Sequence, residues 1–158
     1  MFVKNKKSII SLICVLLWMC LIFYFSSQTA TESSGVSVSF TKKILSLFTS
    51  DMSNEVAHKI AVSIDFFVRK MAHFTIFSVL GFLVRNLMTY IFATQKITIS
   101  IIICALYSIS DEVHQIFVPG RACRVYDIAI DTIGAATGVF AFCLVLYIYQ
   151  KIKDKHYK

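Results

Sequence analysis

Side chains that could carry out acid–base chemistry are concentrated in one part of the sequence. In chain order they are Asp111, Glu112, His114, Gln115, Asp127 and Asp131. In a helix, residues three and four positions apart share a face. Asp111, His114 and Gln115 are therefore predicted to lie together, with Glu112 at the edge of that face. Asp127 and Asp131 are one helical turn apart. Carboxylates and imidazoles are common general acids and bases, so these six residues are candidate catalytic residues.

A second group of candidates could bind an anionic substrate. Arg69, Lys70 and Arg121 are basic residues near the same predicted helix ends, and arginine binds phosphate through two parallel hydrogen bonds. His73 follows Arg69 by four residues and is a further acid–base candidate. Two serines, Ser26 and Ser27, would either line the same site or simply end a helix. We predict a phosphate-binding role for the three basic residues.

Four long apolar segments must position these residues. The chain is 57% hydrophobic and 16% charged, whereas soluble domains carry about a quarter charged residues. A helix of about 18 apolar residues spans roughly 27 Å, enough for the hydrocarbon layer. No clear cleavage site follows the first segment, so it is predicted to be retained. The sequence predicts an all-α, four-helix membrane bundle forming one domain (1–158), with spans at 8–25, 71–93, 97–118 and 126–149 and a basic tail at 150–158.

The segment between the first two spans, residues 36–68, has a different pattern. Its apolar residues recur at helical spacing, which predicts one or two amphipathic helices. They are Val36, Phe40, Ile44, Leu47 and Phe48, followed by Met52, Val56, Ile60, Ile64 and Phe67. Such helices would either lie on the membrane surface or cover the end of the bundle.

Alternating topology brings the candidate residues to one membrane surface. The end of the first span, the start of the second, the end of the third and the start of the fourth all meet there. A charged group costs about 2.5–3.5 kcal/mol in mid-membrane, so the carboxylates are predicted to face the bundle interior, near the basic residues. Gly134 and Gly138 continue the stripe of Asp127 and Asp131 and would allow close helix packing.

The basic residues indicate an orientation. Nine of them fall on the side of the two termini and seven on the other side, within a much longer loop. Positive residues favour the cytoplasmic side, which predicts cytoplasmic termini and an extracytoplasmic polar site. Since the basic residues flank apolar segments, the net charge of +7 does not indicate nucleic-acid binding. Five cysteines in no paired spacing indicate neither a disulfide framework nor a metal-ligand motif.

Several segments of the chain resemble the VanZ family of small bacterial membrane proteins, named for a teicoplanin-resistance protein. The segments are FSSQ at 25–28, RKMAHFTIFSVLGF at 69–82, SDEVHQIFVPGR at 110–121 and DIAIDTIGAATG at 127–138. The resemblance implies a four-helix membrane domain with an outward-facing polar site. It also implies a role in modifying lipid head groups or lipid-linked envelope precursors, and a role in teicoplanin resistance.

Two functions of different classes remain open at this stage. The first is an enzyme acting on the head group of a phospholipid or a lipid-linked precursor, with His114 or Glu112 as base, Arg69 and Arg121 binding phosphate, and Asp127 orienting a partner. The carboxylates would suit a divalent cation such as magnesium or calcium, although their spacing identifies none. The second is a non-catalytic protein that binds a lipid or a partner of the cell envelope. A transporter is less favoured because no inverted repeat is present, and the oligomeric state is not indicated.

Overall fold

The computed structural model describes residues 6–49, 53–92 and 96–156, and the regular structure in these ranges is helical throughout. Four of the five helices are long and apolar enough to cross a membrane, and α2 is the exception. The predicted fold class, an all-α membrane protein with four spanning helices, is confirmed. The helices are α1 (Lys6–Ser26), α2 (Ala30–Phe48), α3 (Asn54–Ile91), α4 (Lys96–Gln115) and α5 (Val125–His156).

The third helix, α3, is longer than the span that the sequence predicts. It runs without a break through 38 residues, whereas the apolar pattern places a boundary between residues 68 and 71. The backbone continues because no glycine or proline occurs between Asn54 and Leu80. Such a helix is about 57 Å long, well beyond the ~30 Å hydrocarbon layer, so part of α3 lies outside that layer.

The remaining helix ends also differ from the hydropathy boundaries. Helix α4 ends at Gln115, three residues before the predicted end of the third span, and a turn follows. Helix α5 continues beyond residue 149 into the predicted basic tail. Three predicted features lie outside the described residues: Met52 of the amphipathic pattern, the end of the second span at residue 93, and the last two residues of the tail.

Helix α2 pairs with the first part of α3. The Ser34 hydroxyl donates a hydrogen bond of 2.9 Å to Oδ2 of Asp65, and the Ser37 hydroxyl donates to Oδ1 of the same carboxylate. Later in α2, Leu45 lines a groove together with Ala57 near the start of α3. The two helices therefore run antiparallel.

This helical pair has small and polar residues inside and large apolar residues outside. Ser37, Thr41, Ala57 and Ala61 are buried between the helices. The outward residues include Val36, Phe40, Ile44, Leu47, Phe48, Val56, Val62, Ile64, Phe66 and Phe67, all exposed. Small residues at helix contacts and large apolar residues outside are typical of helices in lipid, so this surface favours contact with the membrane.

Close backbone packing joins α3 and α5. A side chain at Gly81 would collide with the Ala135 carbonyl, one at Gly134 with the Phe74 carbonyl, and one at Gly138 with the Ser78 carbonyl. Three helix-to-helix contacts therefore need glycine because no room exists for a Cβ atom. The predicted inward orientation of Gly134 and Gly138 agrees with these contacts.

Hydrogen bonds connect α1 to α3 and α4. The Trp18 indole donates a hydrogen bond of 2.9 Å to the Ile76 carbonyl of α3, and the Tyr107 hydroxyl of α4 donates one of 2.7 Å to the Met19 carbonyl. Below these contacts, Phe77 and Leu80 of α3 are almost fully buried in the apolar core. The core and the close α3–α5 contact fix α3 relative to α5, and with it the candidate residues at one end of the bundle.

Candidate functional site

Four carboxylates are buried at the end of the bundle where α1 and α4 terminate and α5 begins. Asp111 and Glu112 come from α4 and are 3% and 0% exposed, while Asp127 and Asp131 come from α5 and are 6% and 0% exposed. Acidic residues are rarely buried to this extent unless they are paired or bind a cation. The site is therefore defined by what each of these carboxylates contacts.

The carboxylates of Asp111 and Asp131 each accept a hydrogen bond from a polar side chain of α4. The Gln115 amide donates a hydrogen bond of 3.1 Å to Oδ2 of Asp111. The Ser108 hydroxyl donates one of 3.2 Å to Oδ2 of Asp131, across the contact between α4 and α5. Ser108, Asp111 and Gln115 share one face of α4, because they lie three and four residues apart.

His73 of α3 completes this part of the site. Its Nδ1 atom lies 3.5 Å from Oδ1 of Asp131. One ligand atom from each of His73, Asp111 and Asp131 lies within 4.8 Å of the other two. Within the part of the chain that the structure describes, these are the residues that could hold a metal ion together.

Glu112 and Asp127 have structural partners on the other side of the cluster. Oε2 of Glu112 accepts a hydrogen bond of 2.9 Å from the backbone N–H of Arg124. Asp127 forms an ion pair with Lys70 of α3, whose ammonium group also lies 4.9 Å from the centre of the Tyr126 ring. Lys70 therefore compensates the charge of Asp127 within the protein.

A tight turn directs Arg121 toward the same end of the bundle. Pro119 and Gly120 occupy its central positions, Gly120 has a φ of 75°, and the Arg121 N–H donates to the Val118 carbonyl at 3.1 Å. Glycine adopts this left-handed φ without the penalty of a side chain. Nε of Arg121 donates a hydrogen bond of 3.2 Å to the Gln28 carbonyl at the end of α1.

The charge environment of Arg121 is mixed. Burial lowers the pKa of Arg121, and the charge of Arg69 lowers it further, while the carboxylates of Asp111, Glu112 and Asp127 act in the opposite direction. Arg69 itself forms an ion pair with Asp65, at 3.3 Å between Nε and Oδ2. Two guanidinium groups that repel each other provide a place where an anion would be favourable.

His114 points to a different part of the surface from the buried carboxylates. Its ring stacks on Phe23 of α1 with centroids 4.4 Å apart, and its Nε2 lies 3.1 Å from the Ser27 hydroxyl. Ser27 also donates a hydrogen bond of 2.7 Å to the Phe23 carbonyl. Since the Ser27 proton is used there, Nε2 of His114 is the donor to Ser27. Ser26 is buried at the end of α1.

The structure thus brings together most of the residues that the sequence identifies. Asp111, Gln115, Asp131 and His73 form one group, and the remaining members Glu112, Asp127, Lys70, Arg69 and Arg121 surround it. It does not place His114 on the face that Asp111 and Gln115 share, and it gives Glu112 a fully buried position where the sequence predicts an edge.

Sequence reasoning missed three contributors. Ser108 lies one turn before Asp111, and Asp65 lies one turn before Arg69, so helical spacing could have identified both. Arg124 acts on Glu112 through its backbone N–H, and no side-chain type signals such a contact.

An open cleft lies beside the site. It has a volume of about 820 Å³ and runs between the end of α1 and the start of α2. Ser27 and Gln28, the partners of His114 and Arg121, line it together with Tyr24, Glu32, Gly35, Val36 and Ser39. Arg121 is connected to this cleft through its hydrogen bond to Gln28.

Comparison with known proteins places the chain in a family. No curated protein and no solved structure shows significant similarity to it. The model of the VanZ/LLP1 family matches residues 11–147, which include all five helices at least in part and all of the candidate site residues. The chain therefore belongs to the VanZ/LLP1 family.

Proposed function

We propose that this VanZ/LLP1-family membrane protein modifies the phosphorylated head group of a phospholipid or of a lipid-linked precursor of the cell envelope. The observation that carries the proposal is the position of Arg121. Its guanidinium group donates a hydrogen bond to Gln28, which lines the cleft, and lies within electrostatic reach of Arg69 and of the buried carboxylates. A phosphate bound there would adjoin acid–base groups.

Arg69 and Arg121 are the proposed phosphate-binding pair. A phosphate anion between two guanidinium groups would relieve their mutual repulsion and receive charge-assisted hydrogen bonds. Lys70 has a smaller part in this proposal than the sequence indicates, because its ammonium group is engaged with Asp127.

Glu112 is the proposed general base. The Arg124 N–H holds Oε2, whereas Oε1 is buried and has no hydrogen-bond partner among the described residues, which leaves its lone pairs available for a proton once substrate or water reaches it. His114 is a weaker candidate, since its Nε2 donates to Ser27. Asp127, ion-paired with Lys70, would orient the groups around Glu112.

The proposed site faces the outside of the cell. The excess of basic residues on the side of the termini supports cytoplasmic termini, which would put the cleft and Arg121 at the outer surface. Lipid-linked envelope precursors and outer-leaflet phospholipids would be accessible there.

The experiment compares lipids from cells that produce the wild-type protein or one of several variants. The variants are Glu112→Gln, His114→Ala, Arg121→Ala and Asp127→Asn, each checked for monodisperse, helical protein. Glu55→Gln is the control, because Glu55 is exposed and pairs with Lys59 one turn away. We expect the wild type and Glu55→Gln to change the phosphorus-containing lipids relative to cells that lack the protein. Glu112→Gln and Arg121→Ala should not produce this change. Folded variants whose lipid profiles all equal that of the wild type would contradict the proposal.

The same strains test the proposed role in teicoplanin resistance. If head-group modification reduces access of the antibiotic to its precursor, production of the wild-type protein should raise the inhibitory concentration of teicoplanin, and Glu112→Gln should not. Equal inhibitory concentrations with and without the wild-type protein would remove the resistance role and leave the lipid assay to decide the enzymatic one.

A non-catalytic lipid-binding function is the second candidate. The ion pair of Lys70 with Asp127 and the bond from the Arg124 N–H to Glu112 favour it, because both carboxylates then have structural partners. Glu112→Gln keeps the shape of the side chain and removes its basicity. A cellular effect that persists in this variant would support binding, and one that disappears would support catalysis.

A further inference from the structure

We propose that His73, Asp111 and Asp131 form a binding site for one divalent transition-metal ion, such as zinc or manganese. The three residues come from α3, α4 and α5, and one ligand atom of each lies within 4.8 Å of the others. Metal–ligand bonds of about 2.0–2.2 Å place neighbouring ligand atoms roughly 3–4.4 Å apart. The observed spacing therefore needs only a small contraction around an ion.

In each of the two aspartates, one carboxylate oxygen is hydrogen-bonded and the other is not. Oδ2 of Asp111 is bonded to Gln115, and Oδ2 of Asp131 is bonded to Ser108. The two Oδ1 atoms are buried and have no hydrogen-bond partner of normal geometry in the described ranges 6–49, 53–92 and 96–156, although the Ser26 hydroxyl lies near the Asp111 carboxylate. Metal sites have this arrangement, in which polar neighbours orient each ligand and leave one atom for the metal.

His73 supplies the third buried atom without a hydrogen-bond partner. Its Nδ1 lies 3.5 Å from Oδ1 of Asp131, longer than an ordinary N–H···O hydrogen bond, and is inaccessible to solvent. Oδ1 of Asp111, Oδ1 of Asp131 and Nδ1 of His73 are thus all buried without a hydrogen-bond partner among the described residues, and buried polar atoms in this state are costly.

Charge balance favours a divalent ion. Asp111 and Asp131 carry two negative charges when ionised. The nearby Lys70 and Arg69 are ion-paired with Asp127 and Asp65, and the charge of Arg121 acts on Asp111, Glu112 and Asp127 together. A protonated His73 would offset one of the two charges, whereas a divalent cation offsets both. The imidazole nitrogen favours zinc, and the two carboxylates also suit manganese, whereas magnesium and calcium prefer oxygen ligands throughout.

The metal site does not depend on the proposed function, because binding is measured without turnover. If both proposals hold, the ion would supply Lewis-acid chemistry next to the phosphate-binding arginines. Absence of metal binding to a wild-type protein that has a lipid effect would refute the site alone, and metal binding by a wild-type protein without any lipid effect would refute the function alone.

The test measures binding of Zn²⁺, Mn²⁺, Mg²⁺ and Ca²⁺ to the purified full-length protein in lipid nanodiscs after chelation, by calorimetry and by metal analysis. The site variants are Asp111→Asn and Asp131→Asn, which preserve size and the acceptor for Gln115 or Ser108. The control is Glu55→Gln, which removes an exposed carboxylate of α3 that pairs with Lys59 one turn away.

We expect one equivalent of Zn²⁺ or Mn²⁺ to bind to the wild type and to Glu55→Gln. Each site variant should bind at least about tenfold more weakly. The electron paramagnetic resonance spectrum of protein-bound Mn²⁺ provides a readout in addition to affinity. This bound-state spectrum should be lost in His73→Ala. Absence of binding to the wild type, selective binding of Mg²⁺ or Ca²⁺, or equal affinity in both folded site variants would overturn the proposal.

Discussion

Lys70 of α3 and Asp127 of α5 form an ion pair at the polar end of the bundle, with side chains 19% and 9% exposed. The pair joins the two helices that pack most closely, above the contact between Gly134 and Phe74. Because of this pair, Lys70, which the sequence predicts to bind phosphate, already has an anionic partner within the protein.

Replacing Lys70 by methionine is expected to destabilise the protein. The change leaves the nearly buried Asp127 without its cation, and breaking a buried pair costs about 3–5 kcal/mol, with the partly exposed Lys70 at or below the lower end of that range. Denaturant unfolding of the purified protein in micelles measures the effect. The double variant Lys70→Met/Asp127→Asn should recover much of the loss, and a double variant no more stable than Lys70→Met would contradict a direct pair.

Replacing Gly138 by alanine is expected to disrupt the packing of α3 against α5. The new Cβ would overlap the Ser78 carbonyl and the Phe82 nitrogen, and overpacking of this kind typically costs about 1–3 kcal/mol. Gly35→Ala is the matched control, because nothing lies within 4 Å of a Cβ at that position of α2. The melting temperature should fall for Gly138→Ala and stay the same or rise for Gly35→Ala. Equal values for the two variants would show that the helices are further apart.

The start of α2 should loosen at low pH. Hydrogen bonds from the Thr29 hydroxyl and the Thr29 N–H lower the pKa of Glu32 from its ordinary value of 4.5. A depressed pKa means that the ionised form stabilises the folded helix start. This contribution is present above pH 4.5 and is lost as the pH falls through the lower pKa of the folded state.

Hydrogen exchange of the first α2 amides measures this effect. The protection of the Glu32 and Ser33 amides, corrected for intrinsic exchange, should decrease as the pH falls below 4.5. Glu32→Gln should have lower protection at neutral pH and little further decrease on acidification, because it cannot ionise. The same pH dependence in both proteins would assign the effect to another group.

Hydropathy and helical spacing were sufficient to predict the four spanning helices and the end of the bundle where the polar residues meet. Gln115 is bonded to Asp111, as their four-residue spacing indicates. Helix ends were harder to predict, because hydropathy changes near Met71 whereas the backbone of α3 has no reason to break there.

The orientations of individual side chains were harder to predict from the sequence. His114 shares a spacing with Asp111, yet it stacks on Phe23, because the neighbouring helix α1 lies on that side of α4. The partner of Glu112 is a backbone N–H in a loop, and only the three-dimensional path of residues 116–124 brings that group to the carboxylate. Tertiary packing decides both orientations.

The most direct test of a phosphate-binding site at Arg121 is native mass spectrometry of protein purified with its bound lipids. Arg121→Ala removes the guanidinium group beside the carboxylates, whereas Arg124→Ala removes an exposed one that contacts Tyr126 and leaves the backbone N–H to Glu112 in place. We predict that the wild type and Arg124→Ala retain a phosphorus-containing lipid and that Arg121→Ala loses it. Equal retention by folded Arg121→Ala and Arg124→Ala would contradict the account.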